Sequence, residues 1–267
     1  MTDDGGITKR VVTSVGGAIA QVAAAKRVAA GHAFRPRPEG AEAPRAVYLE
    51  ACRRIGEAFA ANGFRYAPSR DHLTRRTGEW TDVLWFQSSH YNVAGVQVAL
   101  STGVLLANRR LHRWRRMHAP PLRRSAAVLA GQVGNLRAPP QWLSWNLADP
   151  TTREAAIADV VRELRETALP FLAQVKDIPR LSAALQREDV PLLQPADAVE
   201  LLLCYEGTEA AVAYISAYLR RHPELVPRLA AAVAHVRDVG PPPYVPTTYA
   251  EQVAIAVAHY GLPVELP

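Results

Sequence analysis

Residues 80–106, WTDVLWFQSSHYNVAGVQVALSTGVLL, constrain this chain more than any other stretch. Residues 80–87 are mostly aromatic and β-branched. Trp80, Leu84 and Phe86 share one side at a period of two, and Val83 and Trp85 share the other. That spacing predicts a strand covered on both faces, with Trp85 and Phe86 buried on opposite sides. Thr77-Gly78 is a turn signal, because glycine takes positive φ without a Cβ clash. It predicts a hairpin with residues 72–76, in which Asp82 pairs with Arg75 or Arg76 across the strands. Beyond Asn92, Val96, Val98 and Leu100 alternate with Gln97, Ala99 and Ser101, the pattern of a half-buried antiparallel strand. All five tryptophans (80, 85, 114, 142 and 145) fall between positions 80 and 145, which places the sheet and its main core there.

Helical spacing surrounds this segment. An apolar stripe of Val11, Val15, Ile19 and Val22 predicts a helix within residues 7–30, and the proline-rich 31–45 stretch reads as a linker. Tyr48, Cys52, Ile55 and Phe59 predict the buried face of a helix over 46–62, stopped by Gly63. A strand is expected over 126–137 and a short aromatic piece over 141–145. Asp149-Pro150 opens a helix as N-cap and first residue. Ile157, Val160, Val161, Leu164, Ala168 and Phe171 form its apolar stripe, and Pro170 should kink or end it. Shorter helices follow over 178–187, 196–206, 208–221 and 223–237. Thr248 and Glu251 have capping-box spacing ahead of a last helix that ends at Gly261.

The fold class expected is therefore α+β: an antiparallel sheet packed with helices, followed by a helical C-terminal region. The expected division is 1–45 as N-terminal helix and linker, 46–190 as the α+β domain and 191–267 as a helical extension. No apolar run is long enough to span a bilayer. Asp3 and Asp4 ahead of the first basic pair argue against a signal peptide, so a cytoplasmic protein is expected. Cys52 and Cys204 both fall in helical segments and read as small core residues rather than as a disulfide.

Several pieces in order carry a family resemblance. They are Asn62-Gly63-Phe64, WTDVLWFQSS with Trp85-Phe86-Gln87, a strand ending near Gly103, Gly134-Asn135-Leu136, WLSW with Trp145, and Leu169-Pro170-Phe171. Together, over roughly residues 46–187, they resemble the bacterial family called domain of unknown function 4304. The resemblance implies an α+β domain with helices on an antiparallel sheet, and no activity.

Charge is uneven. Residues 1–148 carry net +12 and residues 149–267 net −6, within an overall +6. No acid occurs between Asp82 and Asp149. A surface facing a polyanion explains this split, and so does docking of the basic half on the acidic half of the same chain. The basic segment 107–124, ANRRLHRWRRMHAPPLRR, holds seven arginines and two histidines around one tryptophan. As a helix it sets Arg109, Arg113 and Arg116 on one face and Leu111, Trp114 and His118 on another. Arginine suits phosphate and carboxylate through its planar fork. The candidate contact set is Arg109, Arg110, Arg113, Arg116, Arg123 and Arg124, with Trp114 as a stacking residue or a core anchor.

The chain has no phosphate-binding loop, dinucleotide fingerprint, zinc-protease helix or nucleophile elbow. Ser88, Ser89 and His90 read as a strand end entering a turn, since neighbours on a strand face opposite sides. His112 and His118, six apart among arginines, do not make a metal pair. No catalytic residue, metal ligand or cofactor is assigned, and whether the chain is an enzyme stays open. The expected function is a non-enzymatic protein-interaction module, one that binds or neutralises a partner protein. The alternative is binding of nucleic acid or another polyanion, or a phosphate-substrate enzyme, through the 109–124 segment.

Overall fold

The computed structural model describes residues 40–119, 125–240 and 248–264. The expected N-terminal helix and residues 31–39 of the expected linker lie outside them, and the last two linker residues, Pro44 and Arg45, already belong to a helix. Two compact units are present. One holds the described residues of Met1–Leu105 with Ala130–Leu172, and the other those of Leu106–Leu129 with Ala173–Pro267. The fold is α+β, with an antiparallel sheet and a helical C-terminal region.

In the first unit, α1 (Pro44–Ala60) buries Tyr48, Cys52, Ile55 and Phe59, the expected face. Gly63 at φ +80 ends its exit turn. The Phe59 and Phe64 rings then meet edge to face at 5.9 Å. Strands β1 (Arg65–Ala67), β2 (His72–Thr77), β3 (Trp80–Ser88), β4 (Ala99–Asn108) and β5 (Ala127–Gln132) lie in the sheet in that order. The two-residue β6 (Trp145–Asn146) pairs with the start of β4.

The hairpin forms as expected. Thr77 stands opposite Trp80, and Gly78 has φ +59. Arg75 stands opposite Asp82 and grips its Oδ2 from Nη2 at 2.7 Å and from Nε at 2.9 Å. Asp82 is buried, so the pair stabilises by satisfying a charge already withdrawn from water. On β3 the Asp82–Leu84–Phe86 face is buried, whereas the Val83–Trp85 face is half-buried. Trp85 differs from expectation for a local reason. Its ring lies across Gly103 of β4 and its Nε1 donates to Val104 O at 3.3 Å.

Strand β4 differs more. Val96 lies in a turn, the strand begins at Ala99, and every residue from Leu100 to Asn108 is buried. Both faces of β4 are covered, so it lacks the solvent face that the alternation implied. Small residues such as Ser101 and Gly103 fill the face that looked polar. Strand β5 is shorter than expected because Gln132 Oε1 accepts from Gly134 N at 2.6 Å and turns the chain into a 3-10 segment at Val133–Leu136.

Helix α3 (Pro150–Glu163) follows α2 (Arg109–His118) and starts as expected, with Asp149 Oδ1 accepting from Thr151 N at 2.8 Å. The Thr151 hydroxyl and amide hold the Asp149 carboxyl below its ordinary range. Pro170 does not end the helix. A π-helical turn, Leu164–Ala168, precedes it and leads into α4 (Leu169–Lys176). A wide turn tolerates the missing amide and the ring, and it adds a residue to the repeat. The apolar stripe shifts accordingly: Val160, Leu164 and Ala168 are buried, then Leu172, while Phe171 is half-buried.

The second unit contains α2 and the later helices α5 (Ile178–Leu185), α6 (Pro195–Tyr205), α7 (Thr208–Arg221), α8 (Val226–Val239) and α9 (Tyr249–His259). Helix α6 is buried nearly all round, as PADAVELLLCY suggests. Thr248 and Glu251 open α9 as their spacing predicted: Thr248 Oγ1 accepts from Glu251 N and donates to Glu251 Oε2 at 2.8 Å, and Gly261 follows at φ +61.

Candidate functional site

The basic segment becomes α2, ten residues long. Asn108 caps it: its Oδ1 accepts from Leu111 N at 2.7 Å, and its Nδ2 donates to Tyr205 Oη at 2.8 Å. Helices this short are marginal alone. Like charges one turn apart oppose them by roughly 0.2–0.5 kcal/mol per pair. Packing of Leu111 and Arg115, both buried, opposes that repulsion.

Arg115 is the unexpected residue. It lies 1% exposed beside Glu200, itself 0% exposed. Nε donates to Glu200 Oε2 at 2.7 Å and Nη2 to Asp197 Oδ1 at 2.7 Å. Nη1 donates to Ser125 O at 3.0 Å and Ala127 O at 2.5 Å. Tyr260 Oη donates to the other oxygen of Glu200 at 3.0 Å. A buried guanidinium is tolerated only when its donors find acceptors, and here Nε and both terminal nitrogens do.

Arg110 also turns back to the protein. Its guanidinium lies 4.3 Å from the Tyr205 ring centroid, and Nη2 donates to Cys204 O at 3.0 Å. Trp114 is half-buried. Its ring stacks on His118 at 4.9 Å and tilts against Tyr260 at 5.4 Å. Two histidines take carbonyls near the helix end, His118 Nδ1 with Trp114 O at 2.8 Å and His259 Nε2 with His118 O at 2.6 Å.

Arg109, Arg113 and Arg116 face outward and are exposed. Met117 joins them, 73% exposed. Arg123 and Arg124 lie outside the described residues. His112 is half-buried at the margin of this face. Burial holds its imidazole below the ordinary histidine value, and Arg116 and Arg115 act in the same direction.

Sequence reasoning separated the outward arginines from an inward face but put Trp114 and His118 on that inward face in place of Arg115. It missed Asp197, Glu200, Tyr260 and Met117. The available signal was Asp197 and Glu200, two acids three residues apart in an otherwise apolar helix.

Elsewhere the polar groups serve local structure. Ser89 Oγ accepts from Tyr91 N at 3.0 Å and Ser88 Oγ from Asn92 Nδ2 at 2.8 Å, so Ser88, which ends β3, and Ser89 both brace the turn that follows. A groove of about 530 Å³ runs along α1 and α3. Its arginines find partners within the unit: Arg54 pairs with Glu154, and Arg165 donates to Ala58 O at 2.6 Å. Among the described residues no cluster of His, Cys, Asp or Glu is arranged to hold a metal ion, and no helix is long and apolar enough to cross a membrane.

Residues 55–174 match the model of the family described as Domain of unknown function (DUF4304). The match covers 120 of the 267 residues, a little under half of the chain. That segment runs from the middle of α1 to α4 and contains every piece on which the resemblance rested. It is narrower than the 46–187 inferred. Gly103 shows what one such position does: a Cβ there would stand 2.1 Å from Trp85 Cζ2 and 2.3 Å from Gly131 O. The basic helix lies inside the matched segment, while Asp197, Glu200 and Tyr260 lie beyond it. No curated protein and no solved structure matches the chain.

Proposed function

We propose that this chain is a non-enzymatic binding module that docks, and in one form neutralises, a partner protein through the outward face of α2. The observation that carries this reading is the exposure of Arg109, Arg113, Arg116 and Met117 together on one face of α2. Arginine and methionine are enriched at protein interfaces and lysine, glutamate and aspartate are depleted, which is the composition of this face. The helical 191–267 region, read as an extension of a 46–190 domain, supplies the carboxylates that hold α2 in place. A cytoplasmic setting belongs to the same reading, in keeping with two buried free thiols.

A second reading has the same arginines bind nucleic acid or another polyanion, with Arg109, Arg110, Arg113, Arg116, Arg123, Arg124 and Trp114 as contacts. Two observations weaken it. Arg110 and Trp114 are engaged within the protein, so Trp114 offers no open ring for a base. Among the described residues the set offers three outward arginines, fewer than the phosphate contacts that strong backbone binders use.

The test is capture from native lysate by the full chain and by a variant with Arg109→Ala, Arg113→Ala and Arg116→Ala. The reading expects a stoichiometric protein on the first and its loss on the second. Equal recovery on both, or recovery of nucleic acid in place of protein, overturns it.

A further inference from the structure

Met117 is the exposed side chain that the arginine face does not explain. Among the described residues three large apolar side chains are mostly exposed: Met117 at 73%, Val239 at 72% and Tyr249 at 51%. Val239 ends α8 and Tyr249 begins α9, so neither belongs to α2. Met117 follows Arg113 by one turn and adjoins Arg116, and Arg109 precedes Arg113 by one turn, so all four share a strip. Eight residues of helix rise about 12 Å, which sets the length of that strip. Methionine is unbranched and polarizable and adapts to varied apolar partners.

We propose that Met117 is the apolar anchor of this surface, and that the partner presents an acidic amphipathic helix whose carboxylates run along Arg109, Arg113 and Arg116. This rests on the reading of α2 as a protein-docking face. Charge complementarity selects the occupant: the strip carries three cations and no acid. A second helix laid alongside repeats at the same pitch, so glutamates one turn apart meet arginines one turn apart. An apolar residue beside the last glutamate then covers Met117. Phosphate polymers match the charge but leave Met117 in water. The arginines steer encounter and give salt dependence, whereas Met117 sets how long the complex lasts.

The probe is a labelled synthetic helical peptide with three glutamates one turn apart and a leucine beside the last, titrated into the full chain by anisotropy. Controls are the same peptide with serine for leucine, inorganic polyphosphate and duplex DNA. Met117→Ser should weaken the leucine peptide about tenfold, which is about 1.4 kcal/mol, and leave its salt dependence unchanged. The triple arginine-to-alanine variant should flatten the salt dependence. Unchanged affinity in Met117→Ser overturns the anchor. Polyphosphate or duplex DNA binding as tightly as the leucine peptide overturns the acidic helix as occupant. If the wild-type chain ignores the peptide but still captures a stoichiometric protein through the arginines, this inference fails while the docking function stands. If it captures none, both fail.

Discussion

Arg115 and Glu200 meet at 2.7 Å, and neither side chain is more than 1% exposed. Asp197 joins the guanidinium from one turn earlier on α6, and Tyr260 holds the far oxygen of Glu200. Removing one partner of a buried pair leaves an uncompensated charge. Glu200→Ala and Arg115→Ala should each cost ~3–5 kcal/mol in urea unfolding. A loss below about 1 kcal/mol would show that the cluster contributes little beyond filling space.

The π turn at Leu164–Ala168 moves the buried stripe by one residue. Leu164→Ala and Leu172→Ala should therefore each cost ~2–5 kcal/mol. Phe171→Ala should cost less than either, because its ring is half-buried. The opposite ranking, with Phe171→Ala the more costly, would restore the uninterrupted helical spacing.

Gly103 admits the Trp85 ring against β4. Gly103→Ala should destabilise by at least about 1–3 kcal/mol, since the added methyl meets an aromatic ring and a backbone carbonyl. Trp85→Phe should rescue it only in part, because Gly131 O remains 2.3 Å from the new carbon. Full rescue would contradict that packing.

The elements governed by neighbours in sequence were legible. Thr77-Gly78 fixed the hairpin and thereby the Arg75–Asp82 pair. Asp149-Pro150 opened α3, and Thr248 with Glu251 opened α9. What was illegible depended on contacts from far along the chain. Nothing within α2 says that Arg115 is buried, because Asp197 and Glu200, which permit it, come 82 and 85 residues later. The alternation at Val96–Ser101 indicated an exposed face, whereas Leu100 and Ser101 are both buried. Pro170 signalled a break, yet a π turn absorbs it at the cost of one residue of register. For the candidate site, the outward arginines were visible as a helical face, but Met117 was not, since a lone methionine carries no periodic signal.

His112 gives a pH dependence with a definite sign. Burial, then Arg116 and Arg115, depress its folded pKa below the ordinary 6.5. On acidification the unfolded chain takes up the proton first, so stability falls with pH. The contribution is complete above about 6.5 and diminishes as pH drops toward the lower folded value. Melting temperatures of the wild type and His112→Gln should converge on acidification through this window. Parallel curves would show that His112 has no part in it.

The central claim separates Arg115, which holds the protein together, from the exposed Arg109, Arg113 and Arg116, which are proposed to face a partner. The most direct measurement is melting temperature together with partner capture for Arg115→Ala and for the Arg109/Arg113/Arg116 triple alanine variant. Surface replacements of this kind usually cost under ~0.5 kcal/mol each, so the triple variant should melt close to the wild type and lose the captured protein. Arg115→Ala should melt far lower. A triple variant that melts as low as Arg115→Ala, or that keeps its partner, would contradict the account.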